Sequence, residues 1–231
     1  MSGTKTVADL AAMIDQTLLS PKVGSAEAAA WCTSNAGRGF ATLCVMPTMV
    51  PLVRERLAGT STRVCTVVGF PLGYSASDTK AAEAALLVGQ GCSEIDMVLN
   101  IGALLEGDEA FVRDDITAVV NATEQASGGQ ALVKVILETG YLSDEHIVSA
   151  CCVAEAAGAA FVKTSTGFGP RGASVHDVEV MRATVGERLG VKAAGGIRDL
   201  DTALSMIHAG ASRLGTSSGG EILDQLASRA G

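Results

Sequence analysis

Residues 132–138 read LVKVILE, residues 161–167 FVKTSTG and residues 190–196 GVKAAGG. Each is a short, largely apolar run of the kind that forms a parallel strand buried on both faces. Each also carries one lysine, and Lys134, Lys163 and Lys192 are evenly spaced along the chain. Lysine is rarely buried without a partner, so three of the chain's six lysines at equivalent points of successive strands mark a repeating unit. The intervals are filled by an Ala-rich stretch over 144–157 and by 176–189, both with helical spacing of apolar residues, so the unit is a strand followed by a helix.

Outward from this core the same alternation runs from end to end. Strands are expected at 13–18, 41–45, 63–69, 94–99, 132–138, 160–164, 191–194 and 213–215. Helices are expected at 25–35, 49–58, 77–89, 108–127, 144–157, 176–189, 199–208 and 220–230, after a short extra helix at 6–12. Ser25, Ser77 and Ser143 stand where a capping oxygen would open a helix, and Gly37, Gly59, Gly91, Gly158, Gly190 and Gly210 where a helix would close. Eight β/α units with no linker or composition shift predict one α/β domain over 1–231, a closed (β/α)8 TIM barrel. The rival is an open doubly wound sheet, but the first strand-to-helix turn, TLLSPKVGS, lacks the GxGxxG phosphate fingerprint of that fold.

Composition narrows the function. Of 231 residues 48% are hydrophobic and 18% charged, enough for a large core and too little charge for a disordered chain. Seventeen basic against 25 acidic residues and 3% aromatics leave neither a phosphate-tracking face nor stacking platforms, so no nucleic-acid partner is expected. No apolar run is long enough to span a bilayer and the N-terminus has no signal-peptide pattern, so the reading is no membrane and a cytoplasmic location. Six cysteines without CxxC spacing agree, as reduced and mostly buried thiols. His146, His176 and His208 are too scattered for a metal-binding motif, and a metal-free chemistry is expected.

In such a barrel the active site lies at the C-terminal ends of the strands. Lys163 and Lys192 each precede a run of small residues that leaves room for a ligand. A lysine that attacks a carbonyl must be neutral although its reference pKa is about 10.4. A second ammonium about 4 Å away at an effective dielectric near 20 opposes its charge by roughly 4 kcal/mol, about three pK units, and Lys192 on the next strand is placed to supply it. Asp96, in SEIDMVLN, is either a buried ion-pair partner of Lys134 or Lys192 or a proton relay beside the reacting lysine. Asp15, in MIDQTLL, has the same two readings, and Lys134 alone reads equally as a structural charge. The loops AAGGIRD and GTSSGGE follow strands seven and eight, where barrels commonly bind phosphate. Gly195, Gly196, Gly219 and Gly220 permit close backbone approach, and Ser217 and Ser218 offer donors at a helix N-terminus.

The segments IDQTLL, LCVMP, VGFPLG, EIDMVLN, LVKVILET, FVKTSTGF, VKAAGGIR and GTSSG, spread over nearly the whole chain, resemble the 2-deoxyribose-5-phosphate aldolase family. That resemblance implies a class I aldolase joining acetaldehyde reversibly to glyceraldehyde 3-phosphate, with no metal and no organic cofactor. It implies Lys163 as the Schiff-base lysine, Lys192 as its catalytic partner and Asp96 in proton transfer. It further implies phosphate contacts at Gly167, Gly195, Gly196, Ser217 and Ser218, substrate-pocket residues at Asp15, Thr17 and Cys44, and a homodimer; Lys134 joins the substrate-binding candidates. Two departures stand out. Gln16 replaces the histidine of the common IDHT motif, and the chain closes on Arg-Ala-Gly with tyrosine only at 74 and 141, so the assistance of a tail tyrosine seen in some relatives is expected to be absent. Two other readings remain: a phosphosugar isomerase or epimerase on the same barrel, against which the paired strand lysines speak, and a non-catalytic sugar-phosphate binding protein, against which Lys163 speaks.

Overall fold

The computed structural model describes residues 6–230. Eight parallel strands, β1 (Ile14–Leu18), β2 (Thr42–Val45), β3 (Arg63–Val68), β4 (Glu94–Val98), β5 (Leu132–Ile136), β6 (Phe161–Lys163), β7 (Gly190–Ala194) and β8 (Arg213–Thr216), follow one another around a closed barrel. Pairing of Ile14 with Leu214 and of Asp15 with Gly215 joins the last strand to the first. The helices are α1 (Val7–Ala11), α2 (Ser25–Asn35), α3 (Val50–Arg56), α4 (Ser77–Gly89), α5 (Ile101–Leu105), α6 (Glu109–Ser127), α7 (Asp144–Ala156), α8 (Val175–Val185), α9 (Leu200–His208) and α10 (Gly219–Ala230). This is the TIM barrel expected from the sequence, with α1 as its extra N-terminal helix. No helix among the described residues is long and apolar enough to cross a membrane.

Alternation along each strand divides the side chains between two environments. Leu43, Val64, Ile95, Met97, Val133, Val135, Val162, Val191 and Leu214 face outward into one continuous apolar layer completed by the helices, among them Cys32, Leu87, Ile116, Ile147, Cys151, Met181 and Ile222. The inward positions are unusual. Instead of the branched aliphatic residues that commonly fill such barrels, they include Asp15, Glu94, Asp96, Lys134, Lys163, Lys192 and Arg213, all buried. Of the cysteines all but Cys152 are buried, and all six are free thiols.

Local signals hold in part. Ser143 caps α7 as expected, accepting from the His146 amide (3.3 Å). Ser25 and Ser77, expected as caps, sit one residue inside their helices, whose N-caps Gly24 and Ala76 make no side-chain bond. The expected strand-like end of 132–138 is instead a turn, because a 3-10 helix begins at Thr139 after Glu138 adopts a left-handed conformation (φ 56°). Helix α8 stops at Val185 rather than at 189, where Gly186 turns the chain (φ 54°) and Arg182 bonds the carbonyls of Gly186 and Leu189. Helix α5 is an addition to the expected elements; five residues give no periodicity, and its one local mark is Asn100, whose side chain accepts from the Ala103 amide (3.1 Å).

Gly190, expected as a helix end, is the first residue of β7. Its role is steric, since a Cβ there would overlap Phe161 Cε1, and the Phe161 ring is in turn held 5.3 Å from the Arg213 guanidinium. Gly190→Ala is therefore expected to destabilise the fold by about 1–3 kcal/mol through overpacking, read as a lowered urea midpoint. Adding Phe161→Leu should recover part of the loss; no recovery would place the cost elsewhere.

Candidate active site

The C-terminal ends of β6, β7, β8 and β1 open onto a cavity of about 430 Å³ lined by Thr17, Lys163, Gly167, Gly195, Gly196 and Ser217, with Phe168 and Arg198 at its walls. Lys163 ends β6, so its side chain rises from inside the barrel to the cavity floor. Of the three strand lysines it alone lines this space. Lys134 and Lys192 lie beneath it, both fully buried.

Asp96 ties the three together. Its Oδ1 accepts from Lys134 Nζ (2.9 Å), and its Oδ2 accepts from both Lys163 Nζ and Lys192 Nζ, each at 2.7 Å. The two amines on Oδ2 are thus no more than twice that distance apart, on neighbouring strands where Lys163 is in register with Lys192. Asp15 holds Lys192 from the other side (2.5 Å) and also pairs with Arg213 (2.5 Å). Glu94 pairs with Lys134 (2.6 Å), Arg213 (2.9 Å) and, at the foot of the barrel, Arg63 (2.6 Å). Burial pushes the Asp96 carboxyl up, yet Lys134, Lys163 and Lys192 together hold it well below the usual carboxylate range. Burial likewise raises Asp15, and Lys192, Lys134 and Arg213 outweigh it and lower the group. Burial presses Lys192 down, but Asp15 and Asp96 raise it above an ordinary lysine; Lys134 is raised against burial by Asp96, Asp15 and Glu94. Both lysines therefore stay cationic and both aspartates anionic.

Among these groups three carboxylates, Asp15, Glu94 and Asp96, face Lys134, Lys192 and Arg213 from within the barrel and Arg63 from its foot, besides Lys163. Lysine spacing along the chain locates Lys163 and Lys192 on adjacent strands, and in the structure Asp96 stands between their two amines. Glu94, Arg213 and Arg63 escape a sequence reading because nothing local marks them as members.

Cys44 is buried beside this cluster next to Cys65, its register neighbour on β3. A hydrogen bond from Cys65 lowers Cys44 against the effect of burial, while burial and the same bond raise Cys65. Cys44, Cys65 and Asp96 place their ligand atoms within 4.8 Å of one another, the one such group of possible metal ligands among the described residues. The ammonium groups do not suit a cation there, since Lys134 Nζ already reaches Cys65 Sγ (3.4 Å) and three lysines occupy Asp96.

The loops around the mouth are locked by side chains. Gly195 and Gly196 both have positive φ (88° and 81°), which only glycine adopts without strain. Ser217 lines the cavity, whereas Ser218 turns back so that its amide donates to Thr216 Oγ1 (2.9 Å) at the start of α10. Gln16, whose role the sequence leaves open, is the clamp of this loop: Oε1 accepts from the Gly219 amide (2.9 Å) and Nε2 donates to the Ser217 carbonyl (3.2 Å). Glu138 does the same for the loop after β6, its carboxylate accepting from the Thr166 amide (3.2 and 3.3 Å) and from the Thr166 hydroxyl. Arg198, unmarked in the segment GGIRD, brings an exposed cation to the mouth.

The closed α/β barrel thus brings one lysine to a cavity at its strand ends, above a buried charge network. Residues 10–225 match the family model described as DeoC/LacD family aldolase. The chain is 49% identical to the deoxyribose-phosphate aldolase of Caldanaerobacter subterraneus subsp. tengcongensis, over 96% of this chain and 95% of that protein. It is also 49% identical to deoxyribose-phosphate aldolase 1 of Cutibacterium acnes, over 93% of this chain and 96% of that one. The solved structure of the deoxyribose phosphate aldolase from Aeropyrum pernix, a tetramer, superposes with a TM-score of 0.88 at 30% identity, covering 97% of this chain and 93% of that chain. The chain belongs to the DeoC/LacD family of aldolases.

The charge network sets a pH window for stability. Folding lowers Asp15 and Asp96, so their contribution is complete above the ordinary carboxylate value of about 3.9 and is lost as pH falls through the lowered native values. Folding raises Lys134 and Lys192, so theirs is complete below about 10.4 and is lost as pH rises through the raised native values. Urea midpoints should be level between about pH 5 and pH 9 and fall outside it; a midpoint that rises on acidification below about pH 4 would contradict the assignment.

Proposed function

We propose that this chain is a class I aldolase that reversibly cleaves 2-deoxy-D-ribose 5-phosphate to acetaldehyde and D-glyceraldehyde 3-phosphate, with Lys163 as the Schiff-base lysine. The observation that carries this reading is that Lys163 alone of the buried lysine cluster lines the cavity while Asp96 holds its Nζ at 2.7 Å. The neutral amine attacks C1 of the sugar, and the carbinolamine loses water to give the protonated imine. Loss of the C3 hydroxyl proton then breaks the C2–C3 bond, and the bonding pair passes into the imine as an enamine. Glyceraldehyde 3-phosphate leaves with the new C3 carbonyl. Protonation of the enamine at C2 and hydrolysis release acetaldehyde and restore Lys163.

Asp96 Oδ2, shared by Lys163 and Lys192, is placed to pass a proton between the two nitrogens as the carbinolamine forms and dehydrates. Because it is a weak base in this setting it carries the proton only in transit. Lys192 is kept cationic by Asp15 and Asp96 on the strand next to Lys163. The substrate phosphate is assigned to Gly167, Gly195, Gly196 and Ser217, which line the cavity where positive-φ backbone and the start of α10 favour an anion; Ser218, turned back onto Thr216, is not among them. Thr17 is assigned to the sugar; Asp15, Cys44 and Lys134 are buried and do not line the cavity, so they act on the site through their neighbours.

Borohydride reduction in the presence of acetaldehyde should add one ethyl group, and peptide mapping should find it on Lys163; an adduct on Lys134 or Lys192 would refute the assignment. Lys192→Met should be slow at neutral pH, because Asp96 Oδ2 then loses one of the two amines it joins. It should recover part of its rate toward about pH 10, in a pH–rate profile with folding checked at each point. A loss that persists at every pH would instead make Lys192 a direct proton donor.

A further inference from the structure

At the opposite end of the barrel the N-terminal ends of β3, β4 and β5 surround a second cavity of about 480 Å³. Its lining includes Arg54, Ser61, Thr62, Arg63, Ser93 and Ser127, and among the described residues no carboxylate lines it. In a chain of net charge −8 that composition is a local reversal of sign. Not all of these groups are free. Ser127 Oγ already accepts from the amides of Gln130 and Ala131 (3.1 and 3.0 Å), and Ser93 Oγ reaches the Val64 carbonyl (3.4 Å).

Two groups are available. Arg54 has no ion pair or hydrogen bond among the described residues, and its stem is fixed against Gly91, where a Cβ would lie 2.8 Å from Arg54 Cδ. Arg63 spends one nitrogen on Glu94 from the barrel side (2.6 Å), while its side chain remains 48% exposed. Two guanidiniums on one concave, carboxylate-free surface match the donors that a phosphate takes.

We infer that this cavity is an anion site, distinct from the one assigned to the substrate, that takes a small phosphate-bearing molecule. The volume exceeds what inorganic phosphate needs, so a phosphate monoester fits with its organic part over Leu57 and Val88. Arg54 and Arg63 grip the phosphate oxygens.

Amide-resolved NMR of the whole 23.4 kDa chain, titrated with inorganic phosphate at constant ionic strength, separates the two ends of the barrel in space. The expected result is saturable shifts at Ser61, Thr62 and Ser93 that appear alongside, and independently of, any at the loops after β7 and β8. Arg54→Glu, on an exposed side chain, should weaken the response at the foot of the barrel by about tenfold or more and leave that at the mouth unchanged. Arg54→Lys, which keeps the charge, should restore part of it. Absence of saturable shifts at the foot, or shifts unaltered in Arg54→Glu, would overturn the proposal, whatever the mouth of the barrel shows.

Discussion

One carboxylate shared by three lysines is the constraint on which the site depends. Asp96 draws Lys134 from β5, Lys163 from β6 and Lys192 from β7 to a single point inside the barrel. Removing one partner of a buried ion pair typically costs about 3–5 kcal/mol because the remaining charge is stranded. The strands must therefore close in the register that brings these groups together. The aliphatic layer outside the barrel supplies the gain from burial, and the ionic ladder inside selects the register.

That ladder also explains the small residues at the strand ends. A Cβ on Gly215 would lie 3.0 Å from Lys192 Cε, so the eighth strand has no side chain where the seventh sends its lysine stem. A Cβ on Gly172 would overlap the Gly195 carbonyl oxygen, which is how the loop after β6 comes to lie on the loop after β7, with the Ala173 amide bonded to Gly195 (3.1 Å). Gln16 and Glu138 then fix the two rims from outside the ring of reacting groups. Two rim loops, those after β6 and β8, are thus tied by a side chain from a neighbouring strand end, which is the arrangement orientation-dependent chemistry requires.

Most of the architecture could be read from residue types and their order. Alternating runs and glycine punctuation place the strands and the long helices, and lysines inside apolar runs point to the end of the barrel that carries the site. Where the reading fails, the reasons are local. A five-residue helix such as α5 has no period to detect, Ser25 and Ser77 satisfy a capping pattern that the backbone shifts by one residue, and Gly190 resembles a helix end although its absent side chain serves the ring of Phe161.

The sequence by itself determined the barrel, the family and the identity of the titratable groups, because strand period, helix period and motif are properties of neighbours along the chain. Only the tertiary structure decided which of three similar lysines reaches the cavity and which two are locked below it. It also decided that Asp96 stands between Lys163 and Lys192, and that Gln16 holds Ser217 and Gly219. These depend on barrel closure, which brings residues such as Lys192 and Asp15 within 2.5 Å although 177 positions separate them. Charge balance in a low-dielectric interior is a sum over all such groups, and no stretch of sequence contains it.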